Sequence, residues 1–575
     1  MTESNFSMAT GLINSNLDTL NQINPFLFNA EFVESWKSLL KQNTSYINNN
    51  IELFSNLLQL CNYAVTKSIG LETDPIVTPD GGDRRFKDEN WNDNAVFDYL
   101  KQLYLILSDA IMKSAEPNES LGEQTNRKIN FYTKQWLDAM SPTNFATTNP
   151  TVIKEIFDSK GENLIQGTKA LIDDIVRGEG KLLTPRMTDY AAFEVGKDVA
   201  STPGKVIYQN DLMQLIQYTP TTKTVFETPL LIVPPWINKY YILDLRKENS
   251  FIHWAVAQGH TVFVISWKNP DKSYADTQFE DYMFEGVITA LVKITEETGE
   301  DQINTIGYCI GGTLLAATNG YLAAKRKKPI KSTTYFTTMV DFTEPGDLGV
   351  FIDKEQLDAL DITMEKDGYL DGTSMATVFN MLRSNDLIWP FFINNYLMGK
   401  EPTAFDLLYW NSDSTRLPEK THSFYLRECY LNNKLCEPGG IELDGTPIDL
   451  SKIKVPTYFI STREDHITPW MSTYEGAKLM SGPVKFVLGG SGHIAGIINP
   501  PLKNKYGYWS NDKIEDQAEK WLDDANYTEG SWWPNWQSWV KTKAGKKITA
   551  REPGQNLKPL EDAPGSYVKH RIVPD

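Results

Sequence analysis

Three residues set far apart in the chain have types that could do chemistry together: Cys309, Asp465 and His493. Cys309 stands in "INTIGYCIGGTLLAA", where a β-branched run meets a tight G-Y-C-I-G turn and then a helix-forming stretch of small and aliphatic residues. A strand that becomes a helix within so few residues must crowd its own backbone. Gly307 and Gly311 relieve that crowding while the residue between them is held out over the sheet edge as a nucleophile. The helix start favours a thiolate, and the Ile310 N–H there becomes one donor of an oxyanion hole.

Such a nucleophile needs a base and an acid, in the chain order nucleophile, acid, histidine. The chain has six histidines. His493 lies in "VLGGSGHIAG", on a glycine-rich loop directly after the last expected strand, and Asp465 lies in "YFISTREDHITPW", just past the strand before it. His466 is the rival base and Asp341, after "YFTTMV", the rival acid; His422 lies in a region with no such placement. Cysteine in place of serine has a chemical reason. A thiolate is partly formed near neutral pH and exchanges with a thioester at little thermodynamic cost, so acyl groups are expected to arrive on a thiol carrier.

The elements that must position these residues can be read from periodicity. Strand-like runs occur at Val206 to Tyr208, Leu212 to Tyr218, Leu230 to Val233, Thr261 to Trp267, Ile303 to Ile306, Thr334 to Met339, Thr457 to Ile460 and Lys485 to Leu488. Helical stretches separate most of the later ones, which predicts a mostly parallel sheet covered by helices, an α/β fold of the eight-stranded hydrolase type whose first two strands form an antiparallel pair. From Asp341 to about Lys454 the alternation lapses into aromatic-rich sequence such as "LIWPFFINNYL", which is expected to be an insertion capping the site. A water-excluding cap would let another hydroxyl take the acyl group before hydrolysis does. The domains expected are a mainly helical one over residues 1–195 and a catalytic one over 196–575 with its cap at 341–454. In the helical front, Ile47, Ile51, Phe54, Leu58, Cys61 and Val65 step by four and three, and further helices are expected from Ala95 to Met112 and Val152 to Val176. Core packing is the expected role of these stripes, with Cys61 a buried small hydrophobe; docking onto a hydrophobic surface is the alternative.

At 575 residues the chain is too long for one compact domain, and a formal charge of −18 makes a nucleic-acid partner unexpected. The dense basic run at Lys325, Arg326, Lys327 and Lys328 falls where the helix after Cys309 should end and complements its dipole. Four cysteines without C-x-x-C pairing point to a reducing cytoplasm and no metal. With no apolar run of about 18 residues, no transmembrane segment is expected.

Long stretches of the sequence resemble the class I polyhydroxyalkanoate synthases, from about Asp83 to the C-terminus. They include "DRRF", "SPTNFATTNP", "AAFEVGKDVA", "PPWINKYYILDL", "GHTVFVISWKNPD", "GYCIGG", "DFTEPGDLGVFID", "LRSNDLIW", "FDLLYWNSDSTRLP", "PTYFISTREDHITPW", "GGSGHIAGIINPPLKNKYGYW" and "GSWWPNW". About the first 80 residues match poorly. The resemblance implies Cys309 as the acyl-carrying nucleophile, His493 as general base and Asp465 as its acidic partner, in agreement with their placement above. It implies that (R)-3-hydroxyacyl-CoA, in the short-chain class 3-hydroxybutyryl-CoA, is the substrate, with CoA released and the acyl group joined to a growing polyester. No cofactor beyond the CoA thioester is implied. The partners implied are the polymer granule surface in the cytoplasm and a second copy in a homodimer. In this fold the strand before "VPPWINKYY" supplies the second oxyanion donor, so the backbone near Trp236 and Ile237 is the candidate. Asp244 in "ILDL" is implied to assist the site or to cap a helix. Arg383 would meet a CoA phosphate or form a structural salt bridge, and Trp410 would wall the substrate or belong to the core. The "SWWPNWQSW" cluster is expected to pack against the catalytic domain.

Two other classes compete with a polyester synthase. One is a cysteine-based esterase or lactonase on the same fold. The other is a noncatalytic granule-coating protein, which would have no need of a placed Cys309, Asp465 and His493.

Overall fold

The computed structural model describes residues 45–117, 121–178 and 185–572, and by compactness these divide into two units. One contains the residues up to Asp189 together with Thr377–Thr403; the other contains Tyr190–Ala376 and Ala404–Asp575. The stretch expected as a cap is thus shared between them, with its middle in the first.

The first unit is helical: α1 (Ser45–Ser68), α2 (Ala95–Ser114), α3 (Glu123–Ala139), α4 (Pro150–Asp158) and α5 (Glu162–Arg177). The caps were chosen by sequence in the ordinary way. Asn94 and Asn149 accept from the first free N–H groups of α2 and α4, and Pro150 opens α4 where its missing N–H costs nothing. Between α1 and α2, Leu60, Tyr63 and Ile106 form a small core, with Leu53 and Leu57 packed against it. The stripe expected to pack is therefore a different one. Ile51, Phe54, Leu58, Cys61 and Val65 are exposed among the described residues. The reason is that α1 carries two apolar faces, and helical periodicity alone cannot say which one meets a partner. Ile47's side chain lies outside the described residues. The Thr377–Thr403 segment is bonded into this unit, with Asn163 donating to Leu397 O at 2.8 Å and the Tyr396 hydroxyl donating to Asp174 at 2.7 Å.

The second unit is built on an eleven-stranded sheet. In chain order its strands are β1 (Gly204–Gln209), β2 (Met213–Tyr218), β3 (Leu230–Val233), β4 (Val262–Trp267), β5 (Ile303–Tyr308), β6 (Ile330–Phe336), β7 (Thr457–Thr462), β8 (Val484–Gly489), β9 (Tyr508–Asn511), β10 (Asn526–Thr528) and β11 (Glu561–Asp562). They lie side by side as β10-β9-β8-β7-β6-β5-β3-β4-β2-β1-β11. Strands β3 to β8 run parallel and β1 and β2 form the antiparallel pair, which is the α/β-hydrolase arrangement. Strands occur at all eight expected places, but the one expected from Thr334 to Met339 runs Ile330–Phe336, its start being polar and β-branched ("IKSTTYF") and so hidden from an apolar-run reading. The short edge strands β9, β10 and β11 were not expected from the sequence, because so few residues carry no readable alternation.

The parallel strands are buried on both faces. In β3, Leu231 and Val233 enter one core cluster and Leu230 and Ile232 the other, so a continuous apolar run replaces the alternation of a half-exposed strand. On the second of these faces Trp532, Trp533 and Trp536 are fully buried around Phe251 and Phe336. This places the tryptophan cluster in the core of the catalytic unit, as expected.

Candidate active site

Strand register brings the candidate residues together. Val233 at the end of β3 lies opposite Gly307 in β5, and Thr462 at the end of β7 lies opposite Gly489 at the end of β8. The loops bearing Ile237, Cys309, Asp465 and His493 therefore all leave the carboxyl ends of neighbouring parallel strands, where open α/β sheets hold their sites.

Cys309 joins β5 to the helix α6 (Ile310–Ala324) with φ +52° and ψ −126°, a left-handed turn that L-residues adopt only when the surroundings over-determine it. The close approach that enforces it is measurable. A Cβ added at Gly311 would sit 2.5 Å from the carbonyl oxygens of Val233 and Pro234, and one at Gly307 would sit 2.5 Å from the Cα of Gly312. The turn is possible only with glycine at these two positions. Ile310 begins the helix, so its N–H is one of those that the intrahelical ladder leaves without a partner.

The loop after β3 is tied by its carbonyls. The indole N–H of Trp267 donates to Pro234 O at 2.9 Å, the Thr415 hydroxyl donates to Trp236 O at 2.6 Å, and the indole N–H of Trp410 donates to Lys239 O at 2.7 Å. The Trp236 ring packs on Tyr282 with centroids 4.6 Å apart. Among the described residues no hydrogen bond uses the N–H of Trp236 or Ile237. The N–H groups of this loop remain the candidates for the second oxyanion donor.

His493 Nδ1 lies 2.7 Å from Asp465 Oδ2. Asp465 is buried and fully engaged: Oδ1 accepts from the Ile467 and Thr468 N–H groups at 2.9 Å, and Oδ2 accepts from the Thr468 hydroxyl at 2.7 Å. Burial alone would raise its carboxyl, but His493 and the Thr468 donors hold it below the usual aspartate value. For His493 burial works against the charged form, yet Asp465 on one side and Cys309 on the other raise its imidazolium to about 10. His493 is hydrogen-bonded to Asp465 and lies within electrostatic reach of Cys309. The ring is further fixed by Tyr308, which stacks on it at 5.8 Å and donates its hydroxyl to His493 O at 3.3 Å. Trp532 and Trp533 anchor the following loop by donating to Gly496 O and Ile497 O, each at 2.9 Å.

The rival acid Asp341 is spent elsewhere, accepting from the Thr343 N–H and hydroxyl and from Asn433. The carboxylate of Asp465 goes to His493. Three other candidates have local partners. Asp244 is buried between the hydroxyls of Thr202 (2.5 Å) and Ser250 (2.6 Å), the latter the N-cap of Phe251–Ala257, and burial without a cation raises its carboxyl to about 6. Arg383, in the first unit, pairs with Asp386. Trp410 is buried and holds Lys239 O.

From the inserted stretch, the rings of Phe342, Tyr425 and Tyr430 form a cluster, with Phe342 and Tyr430 4.8 Å apart and Tyr425 and Tyr430 5.3 Å apart. Burial first, and then the charge on Cys309, raises the phenol of Tyr430. The phenols of Tyr425 and Tyr430 therefore lie within electrostatic reach of Cys309. Sequence reasoning missed them, along with Thr468 and Thr415. Only Thr468 left a usable signal, as the hydroxyl three residues after an aspartate in "DHIT", a common aspartate-turn pattern.

The chain is similar to known proteins over most of its length. Residues 82–255 match the family described as "Poly-beta-hydroxybutyrate polymerase (PhaC) N-terminus", and residues 241–500 match the alpha/beta hydrolase fold. The chain is 52% identical to the poly(3-hydroxyalkanoate) polymerase subunit PhaC of Rhizobium etli over 85% of its length and 77% of that protein. It is 48% identical to the poly(3-hydroxyalkanoate) polymerase of Methylorubrum extorquens over 93% and 88% of the two chains. It is 42% identical to the PhaC subunit of Cupriavidus necator over 85% and 83%.

Proposed function

Because the chain belongs to the poly(3-hydroxyalkanoate) polymerase family, we propose that it polymerises (R)-3-hydroxyacyl-CoA, the short-chain 3-hydroxybutyryl thioester above all, through an acyl group carried on Cys309. The observation that carries this reading is the His493–Asp465 hydrogen bond within electrostatic reach of Cys309, with the cysteine held on a strained elbow.

In the proposed cycle His493 takes the Cys309 proton and the thiolate attacks the thioester carbonyl. The negative charge on the carbonyl oxygen is met by the N–H groups of Ile310 and Ile237. The C–S bond to CoA breaks, and the CoA thiolate takes the proton from His493. His493 then accepts the proton of a chain-end hydroxyl, whose oxygen attacks the acyl-cysteine; a new ester forms and Cys309 leaves as the thiol once reprotonated. The first exchange, thioester for thioester, is nearly balanced, and the second, thioester to ester, runs downhill. Asp465 keeps His493 in the tautomer that this proton traffic requires. The ring cluster of Phe342, Tyr425 and Tyr430 supports the exclusion of water from the acyl-enzyme. No cofactor other than the CoA thioester takes part. The reading extends to a homodimer working at the polyester granule surface in the cytoplasm.

The test is the fate of the acyl group when purified protein meets (R)-3-hydroxybutyryl-CoA. Release of CoA with growing turbidity and little free acid is expected. Stoichiometric free 3-hydroxybutyrate with no chain longer than one unit would make the protein a thioesterase on the same elbow.

A further inference from the structure

The loop that supplies the second oxyanion donor is held by an ion pair with no part in the chemistry. Lys239 Nζ lies 2.6 Å from Asp413 Oδ1, and both side chains are almost wholly buried, 3% and 1% exposed. The same ammonium donates to His570 O at 2.8 Å, near the end of the chain, and Tyr241 donates its hydroxyl to the other oxygen of Asp413 at 2.8 Å. The Arg571 guanidinium stands 3.7 Å from Asp413 and donates to the Tyr409 hydroxyl at 3.1 Å. Two neighbours in sequence carry the effect to the loop: Trp410 holds Lys239 O and Thr415 holds Trp236 O. A backbone bridge pairs Asn238 with Ser414 between them.

We infer that the Lys239–Asp413 pair, closed over by His570 and Arg571, is a positioning device that fixes the oxyanion loop, so that the C-terminal segment acts on acylation without touching the acyl group. The physical ground is the cost of the arrangement. Burial pulls the Lys239 ammonium below the usual lysine value although Asp413 holds it up, and a buried pair contributes little net stability against an apolar pair of the same volume. What it does contribute is direction. An ammonium with two acceptors and a carboxylate with a phenol and an ammonium as donors have one satisfied arrangement, whereas apolar groups there would allow several. Lys239 is two residues beyond Ile237, so an error in its placement is passed to the donor almost undiminished.

The inference rests on reading Cys309 as nucleophile and the Ile237 N–H as donor, and the test separates the two. Acylation of Cys309 by a hydroxyacyl-CoA develops an oxyanion; alkylation of the same thiol by iodoacetamide does not. Both rates are measured in the full chain, as the CoA burst and as carboxamidomethylation of the Cys309 peptide read by mass spectrometry, since Cys61 is also exposed. The paired variant Lys239→Met with Asp413→Leu removes both charges and avoids leaving one buried alone. It is expected to lose about 10²-fold in the burst rate while alkylation stays within about twofold of the parent. Arg571→Gln leaves the pair intact and loosens only its closure, and a loss of about tenfold, again confined to acylation, is expected. Should the paired variant not fold, Arg571→Gln decides the matter alone. An unchanged burst rate in a folded variant, or equal losses in both reactions, overturns the inference. If alkylated parent protein still releases CoA, the nucleophile reading itself falls, independently of the ion pair.

Discussion

His493 Nδ1 stands 2.7 Å from Asp465 Oδ2, at the point where two loops leave adjacent parallel strands with Thr462 paired to Gly489. The pair sets a sign for pH dependence. His493 is raised from 6.5 to about 10, so the stability it contributes is fully present below 6.5 and is lost as pH rises through about 10. Asp465 is lowered, so its contribution is present above its ordinary value and is lost as pH falls through the depressed one. Thermal denaturation between pH 6.5 and 10 should show the parent losing at least about 2 °C more than His493→Gln over that window. A parallel decline of both proteins would mean that the imidazolium is not held up.

Cys309→Ala should lower CoA release by at least about 10⁴-fold while leaving the fold intact. Cys309→Ser is expected to be nearly as poor, because an alkoxide is much harder to form than a thiolate. Circular dichroism together with the CoA assay checks both, and substantial release from the alanine variant would remove the nucleophile.

Asp465→Asn should retain more acylation than His493→Gln, with a loss of about 10²-fold, since a thiol, intrinsically more acidic than an alcohol, depends less on the acid that orients its base. Removing the carboxylate also withdraws the charge that raises His493, so the alkaline limb of the pH–rate profile should move to lower pH. A profile that keeps its alkaline limb contradicts that coupling.

Trp267→Phe removes the indole N–H that donates to Pro234 O and leaves a buried carbonyl unpaired. A loss of about 1–3 kcal/mol in stability is expected, with a fall of about tenfold in kcat and little change in KM.

Gly311→Ala should fail to give folded protein, because the added Cβ meets two carbonyl oxygens at 2.5 Å. Gly82→Ala, where nothing lies within 4 Å, serves as the neutral control in the same solubility assay.

The sequence alone determined the parts whose reasons are local. A β-branched run, a turn flanked by glycines and a helix-forming stretch leave the backbone one economical path at Cys309, and eight apolar runs at strand length imply the sheet. Chain order then singled out Asp465 and His493 as candidates, because the loops of a parallel sheet open at the same end. Choices between equivalent partners were decided by tertiary structure. Which face of α1 packs was not legible, since Leu57 and Leu58 satisfy helical periodicity equally well and only contact with α2 separates them. Residues 377–403 could not be divided from the rest of the insertion, because their attachment runs through bonds such as Tyr396 to Asp174, more than two hundred positions away. Lys239, Asp413 and His570 likewise carry no joint signal along the chain: their meaning arises when burial removes water and leaves each charge dependent on the others.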